Sequence, residues 1–533
     1  MNLEIAKDLT DIIEKGQGAL LLKEIVDIST AGRAAKQNPT LYALALCARY
    51  KVQDTKTKVT NVDDNHANIM RKYYELLHKA AFEVVKQVCR IPTHLFGFVA
   101  YCEEISKSTG AKTGSTGWGR TMRSTIKAWY MDKDPMTLAM HITKYPQRNG
   151  WSHRDLLRLA HPKVNGDSHF EHEQIFRYII KGESSLKRKR VEEERMETSE
   201  PKSKLAKLND QLESKALNFI QAVCELKATT DENKAAMLIQ NDGLVREHVP
   251  TELLNTVTVW GALLQNMPMT AMLRNLAKMT VVGLFENEDN DDASLRQVTS
   301  QLTNEAALKK AKIHPLNVLL ASATYGRGHG DKGKLNWTPV RSIVTALEEA
   351  FYLSFKNVEP TGKRFCFALD VSGSMSSPIA NSTLSCREAA AALALVGLRT
   401  EPHVETVAFC DKLTPLPFSK SWTLTRMIEY VGNMNFGATD CALPMIWAQK
   451  EKKSFDVFVV ITDNETWFGK VHPAEALKSY RKKMNIPEAK LIVVGLQANK
   501  FTIADPMDPG MFDVAGFDSA VPELIRDFVL GNI

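Results

Sequence analysis

Over roughly its first 355 residues the chain places apolar side chains every three or four positions, and alternating apolar–polar runs are nearly absent. That spacing lines one face of an α-helix and cannot line one face of a strand. It predicts helices over 40–50, 65–90, 92–105, 118–131, 135–145, 169–180, 215–226, 253–267, 269–279, 315–323 and 343–355. Pro92, Gly117, Pro135, Gly150, Pro162, Pro250 and Pro315 punctuate the junctions. Many helices, short breaks and no sheet point to a HEAT-like α-helical repeat, whose stacked pairs give a long curved surface suited to binding. No exact repeat is visible, so the array is degenerate. One segment departs from the pattern: residues 184–210 are dense in charge, carry Pro201 and have few apolar anchors, which predicts an exposed linker or loose helix. Lys187-Arg188-Lys189-Arg190 within it reads as an import signal, an RNA-contacting patch or a plain solvated run.

Near residue 360 the pattern changes. Short apolar runs at 365–369, 404–409, 456–462 and 489–496 alternate with helical stretches at 388–398 and 473–482. Strands alternating with helices predict a doubly wound, mostly parallel α/β sheet. The expected division is therefore a helical module over 1–358 and an α/β domain over 359–533.

Composition removes several classes. Hydrophobic residues are 44% and charged residues 24%, which permits a sizeable core. The longest apolar run, 389–398, is far below the ~20 residues of a membrane span. Acids at Glu4, Asp8 and Asp11 argue against a secretory leader. None of the eight cysteines forms a C-x-x-C pair, and most sit in apolar runs, so the expectation is reduced, buried thiols in a cytoplasmic protein with no membrane contact, the basic run adding a nuclear address. No G-x-S-x-G elbow, P-loop or H-E-x-x-H occurs. The stretch Tyr325-Gly326-Arg327-Gly328-His329-Gly330 lacks the Lys-Ser/Thr pair of a phosphate cradle and reads as a basic surface loop. The chain is not expected to be an enzyme.

Two constellations carry chemistry. The first strand of the α/β domain runs into Asp370-Val371-Ser372-Gly373-Ser374. Ligands of open α/β sheets collect at the carboxyl ends of strands. One carboxylate and two hydroxyls there supply part of an oxygen shell for a hard cation such as Mg²⁺. Thr439 and the strand-terminal Asp463 could complete it. The alternative is that Asp370 and Ser374 cap the next helix.

The second constellation is basic. Residues 112–163 hold ten Lys or Arg against three Asp, a local excess of seven that exceeds the net +6 of the whole chain. Ser152 and Asp155 have capping-box spacing, and Pro162 ends the helix between them. Arg154, Arg158 and His161 fall at i, i+4 and i+7, which places them on one helix face. Just before it runs a Pro- and Gly-bearing loop, Lys144-Tyr145-Pro146-Gln147-Arg148-Asn149-Gly150-Trp151. Arg and Lys neutralise phosphates while Tyr and Trp stack on unpaired bases, so RNA with single-stranded ends or bulges fits better than duplex DNA. Lys144, Arg148 and His161 are the expected direct contacts, with Arg120, Arg123, Arg154 and Arg158 around them. The competing reading is a solvated helix face.

The stretches VCRIPTHLF, QRNGWSHRDLLRLAHPK, MPMTAMLRNLAKMT, KIHPLNVLLA, EPTGKRFCFALDVSGSM, TDCALPMIWAQK, VFVVITDNETWFGKVHPA and FTIADPMDPGMFDVAGFD resemble the 60 kDa Ro ribonucleoprotein family, which joins a TROVE module to a von Willebrand factor A-like domain. The resemblance covers most of the chain. It implies that the helical repeats close into a ring, that single-stranded 3′ ends of misfolded small RNAs thread it, and that small non-coding Y RNAs bind its outer surface through Lys144, Arg148 and His161. It further implies RNA quality control without catalysis, and a metal-ion-dependent adhesion site at Asp370, Ser372, Ser374, Thr439 and Asp463 whose open position takes an acidic group from a protein partner. The segment bearing residues 187–190 departs from the vertebrate pattern and reads as an insertion. The alternative function is a protein-interaction scaffold acting through the adhesion-type domain.

Overall fold

A computed structural model describes residues 6–34, 36–51, 64–109, 117–164, 169–185, 214–285, 293–330, 334–379, 384–434, 437–463, 469–497 and 503–533. Most of the charged segment 184–210, including residues 187–190, and Lys112 lie outside the described residues. The chain divides into two compact units, Met1–Gln265 and Asn266–Ile533.

The first unit is built from helices packed against one another. Helix Gln37–Arg49 lies against Pro92–Thr109, Pro135–Lys144 against Lys215–Ala228, and Glu232–Asp242 against Val257–Gln265. The rings of Tyr42, Phe96, Phe98, Trp129, Tyr130 and Trp260 are almost completely buried between them. The buried indoles find partners: Trp129 Nε1 donates to the Cys89 carbonyl at 2.5 Å and Trp260 Nε1 to that of Leu254 at 2.8 Å. Helix starts follow the sequence. Asp134 accepts from Thr137 N ahead of Pro135, and Asp231 accepts from Asn233 N and Lys234 N. The helix expected over 65–90 is broken: Asp64–Glu83 is followed by a single turn, Val85–Val88. The one expected over 253–267 starts later, at Val257, after a 3₁₀ turn at Leu253–Asn255.

The expected loop at 144–151 is a β-hairpin. β1 (Gln147–Arg148) pairs antiparallel with β2 (Trp151–Ser152). Asn149 and Gly150 between them have φ of 51° and 78°. Two adjacent positive φ values make the type I′ turn whose twist matches a hairpin, and Asn-Gly is its preferred pair. The dipeptide was legible in the sequence as a hairpin signal.

The second unit begins with helices Met269–Val281, Ala293–Leu302, Glu305–Lys310, Pro315–Arg327 and Arg341–Leu353. It continues into a six-stranded sheet of order β5-β4-β3-β6-β7-β8, with β3 Arg364–Asp370, β4 His403–Phe409, β5 Leu413–Pro415, β6 Val457–Thr462, β7 Lys490–Gly495 and β8 Met511–Ala515. All pairings are parallel except β4 with the edge strand β5. The short strands β5 and β8 escaped the sequence reading because their alternation spans too few residues. Alternate strand residues face opposite layers. Phe458, Val460 and Leu491 share a core with Ala442, Met445, Leu477 and Tyr480 of helices Leu443–Lys450 and Pro473–Met484 or the turn before them. On the other face Phe367 meets helix Cys386–Thr400 so closely that a Cβ on Gly397 would lie 2.3 Å from its ring. Both faces are thus covered by helices, as a parallel sheet requires. All eight cysteines are buried and none is in a disulfide. No helix among the described residues is long and apolar enough to cross a membrane.

Several buried or half-buried imidazoles of the first unit are held neutral. Burial lowers the pKa of His141 and His248 to about 4 and that of His153 to about 3. In the unfolded chain each titrates near 6.5. Between those values the unfolded chain binds more protons than the fold, so stability rises with pH there. Urea midpoints measured from pH 7.5 to 4.5 should be flat above about pH 7 and fall progressively below about 6.5. A midpoint that held or rose on acidification would contradict the burial of these groups.

Candidate nucleic-acid interface and cation site

Each basic residue singled out in the sequence has a defined position. Lys144 is the last residue of its helix; its ammonium lies 5.4 Å over the Tyr145 ring and 4.0 Å from Glu247, a distance at the limit of an ion pair. Arg148 is exposed on β1. Helix His153–Ala160 follows β2 without a break, and its start carries the expected capping box between Ser152 and Asp155. Arg154 and Arg158 are exposed on one face of it, while Leu156, Leu157 and Ala160 are buried. Arg120 and Arg123 are exposed on helix Arg120–Met131, which packs against His153–Ala160.

His161 is exposed but does not continue the helical face. It is the C-cap, with φ 47° and ψ 59°, so the i+7 relation to Arg154 is lost. Pro162 disfavours helical backbone at the residue before it, and the left-handed conformation stops the helix there. The imidazole therefore leaves the helix end in its own direction.

What holds this surface together is a histidine the sequence reading passed over. His153 is buried at the first turn of the helix. Its Nε2 lies 3.0 Å from the Tyr145 carbonyl and its Nδ1 2.7 Å from Tyr130 Oη. A carbonyl only accepts, so Nε2 carries the proton and Nδ1 accepts from the tyrosine. The neutral ring ties helix Arg120–Met131 to the segment leaving Lys144 and packs edge-on to Phe96 at 4.9 Å. The hairpin is held separately: Trp151 packs on Trp118 at 5.4 Å, and Trp118 Nε1 donates to Glu103 at 2.9 Å. The signals for these partners were Trp118, Tyr130 and His153 themselves, which nothing short of the tertiary contacts could have paired.

The oxygen-rich cluster of the second unit follows from topology. From β3 the chain winds to one side through β4 and β5, then returns to lay β6 on the other side of β3. The cleft at such a reversal is where doubly wound sheets bind ligands. Leu369 pairs with Ile461, so Asp370 and Thr462 end level and Asp463 lies one residue beyond. Asp370, Ser372, Thr439 and Asp463 are all buried. Ser372 Oγ is 3.1 Å from Ser374 Oγ. Asp370 accepts from Ser372 N at 2.8 Å and from Thr462 Oγ1 at 2.7 Å. Thr462 was missed in the sequence, although it immediately precedes Asp463.

Neither Asp370 nor Ser374 caps the following helix. A 3₁₀ turn, Gly373–Ser376, intervenes, and the helix starts with its own capping box, Ser385 with Glu388. Burial raises the pKa of Asp370, and the neighbouring Asp463 carboxylate adds to this. Two adjacent buried carboxylates flanked by hydroxyls are costly without a compensating charge. The donor set is all oxygen, the chemistry a Mg²⁺ or similar hard cation takes. The GRGHG stretch is a helix stop: Gly328, φ 76°, ends helix Pro315–Arg327.

Comparison with known proteins agrees with this architecture. Residues 2–324 match the TROVE domain and residues 364–529 the Ro60 vWA domain. The chain is 46% identical over 552 aligned residues to the RNA-binding protein RO60 of Caenorhabditis elegans, covering all of this chain and 85% of that protein. It is 36% identical over 530 residues to the RNA-binding protein RO60 of Deinococcus radiodurans, covering 99% of this chain and 88% of the relative. The crystal structure of the Deinococcus radiodurans RO (RSR) protein superposes with a TM-score of 0.79 at 35% identity, over 98% of this chain and 93% of that one. A helical TROVE region followed by a mostly parallel vWA sheet, matched along the whole chain, makes this protein a member of the Ro60 family.

Proposed function

We propose that this protein is a non-catalytic RNA-binding ribonucleoprotein component that binds small non-coding RNA of the Y RNA type and the single-stranded 3′ ends of misfolded small RNAs, in cytoplasmic RNA quality control. Lys144, Arg148 and His161 contact the RNA directly, and Arg120, Arg123, Arg154 and Arg158 extend the cationic surface. The observation that carries this reading is the exposure of Arg148 on a tight hairpin leading directly into the exposed Arg154/Arg158 face. Backbone already ordered in a hairpin and a helix lowers the ordering cost of presenting these cations to phosphate. The names of the two relatives support the same assignment.

The test is a salt titration with a structured small RNA carrying a single-stranded 3′ tail. About four phosphate contacts on a single strand give a log–log slope of roughly −3. The variant Lys144→Ala/Arg148→Ala/His161→Ala should bind more weakly with a slope flatter by about 1.4, for the two cations removed. Unchanged affinity and slope in a folded variant would remove the interface from this surface.

The buried oxygen cluster favours a second activity of the same chain. Asp370, Ser372, Ser374, Thr439 and Asp463 would hold a divalent cation, Mg²⁺, leaving a coordination position for an acidic group of a protein partner. Were RNA binding absent, this site would make the protein an interaction scaffold. A ligand bound only by the native state raises its stability, by about 2.7 kcal/mol at a hundred times its Kd. Millimolar Mg²⁺ should therefore raise the melting temperature of the full chain relative to EDTA, and Asp370→Asn should abolish that rise. Equal melting temperatures for the wild type in Mg²⁺ and EDTA would count against cation binding.

A further inference from the structure

We infer that a groove in the second unit, between helices Met269–Val281 and Pro315–Arg327, takes one unpaired nucleotide of a bound RNA. The inference rests on the RNA-binding reading above and adds a site well separated in sequence from the basic cluster. The groove has a volume of about 370 Å³. That is the size of a small-ligand pocket, and such pockets combine apolar walls with a few placed polar groups. Here Leu273 and Leu320 supply apolar wall, and Thr270, Arg274, Asn317 and Thr324 line the same space. None of these four side chains has a hydrogen-bond or ion-pair partner among the described residues, so each is available to a ligand.

Part of the lining is aromatic. Trp337 and Tyr325 both line the groove, and the tryptophan is oriented by its neighbour: its Nε1 donates to the Tyr325 carbonyl at 2.8 Å and its ring stacks on Tyr325 at 6.2 Å with an interplanar angle of 25°. Gly328 is what lets this segment dock. A Cβ there would lie 2.7 Å from the Trp337 carbonyl oxygen, and the Trp337 N–H donates to the Gly328 carbonyl at 2.9 Å. The glycine-rich stretch thus positions a tryptophan rather than cradling a phosphate itself.

These groups match the parts of one nucleotide. A base presents a π-face to an indole. An asparagine amide offers a donor and an acceptor side by side, the pattern that reads a base edge. The exposed Arg274 guanidinium can take the phosphate, and the two threonine hydroxyls suit the ribose. Base edges are accessible in this way only in unpaired RNA, so the groove selects tails and loops over duplex.

The experiment uses the full chain, one RNA stem-loop with a six-nucleotide 3′ tail, the same stem-loop blunt-ended, and a mixture of free nucleoside monophosphates. Two variants are compared with wild type: Ala277→Phe, which fills the groove, and Arg274→Gln/Asn317→Leu, which removes polar contacts from partly exposed positions and keeps the test alive if the first does not fold. Both folded variants should reduce the affinity advantage of tailed over blunt RNA by at least about fivefold, the low end of one stacked base, while blunt RNA binds as in wild type. An unchanged advantage in a folded variant overturns the inference, as does competition by free nucleotides as strong as by the tail. If wild type binds neither RNA, the RNA-binding reading itself fails and the groove falls with it. Loss of blunt binding only in the Lys144/Arg148/His161 variant would separate the two surfaces.

Discussion

The neutral imidazole of His153 is the interaction on which the basic surface depends. Its two nitrogens have different jobs, one donating to the Tyr145 carbonyl and one accepting from Tyr130. That division works only while the ring is uncharged, and burial keeps it so. Through it the helix bearing Arg120 and Arg123 is fixed to the segment that leaves Lys144 and enters the hairpin bearing Arg148. The elements that carry these cations are joined beneath by this buried ring, and the hairpin by the contact of Trp151 with Trp118. Protonation would add a second donor facing the tyrosine and place a charge among aromatic rings, and burial holds it off until the pKa of about 3 is approached.

In the second unit the corresponding constraint is topological. Reversal of winding direction between β3 and β6 sets a switch point at the carboxyl ends of these strands, where the register brings Asp370 and Asp463. The helix after β3 is capped by Ser385 and Glu388, so Asp370, Ser372 and Ser374 do not cap its N-terminus, and among the described residues the one backbone group on the Asp370 carboxylate is the N–H of Ser372. The fold thus sets aside a concentrated, buried oxygen cluster at a cost in desolvation. Structures retain such a cost where a ligand relieves it.

Local signals in the chain were read correctly where the physics is local. The capping box at Ser152 and Asp155, the Pro-initiated helices and the strand ending at Asp370 depend on neighbours within a few residues. The misreadings also had local causes. Asn149-Gly150 is a hairpin signal inside a stretch whose Pro and Gly content predicts a loop, and the i+7 spacing of His161 predicts a helical face although Pro162 forces a stop before it. β5 and β8 offer three and five residues, too few for a period of two to stand out.

The sequence by itself determined the class of each region, the helix and strand grammar, the clustering of positive charge over 112–163 and the oxygen-bearing D-x-S-x-S after a strand, since periodicity, capping and composition are short-range properties. Only the tertiary structure decided which distant residues meet. His153 with Tyr130, Trp118 with Trp151, Asp370 with Thr462 and Trp337 with Tyr325 are separated by 12 to 92 positions. No local rule links such pairs, because their contact energy is realised only after the intervening chain has paid its ordering entropy and packed.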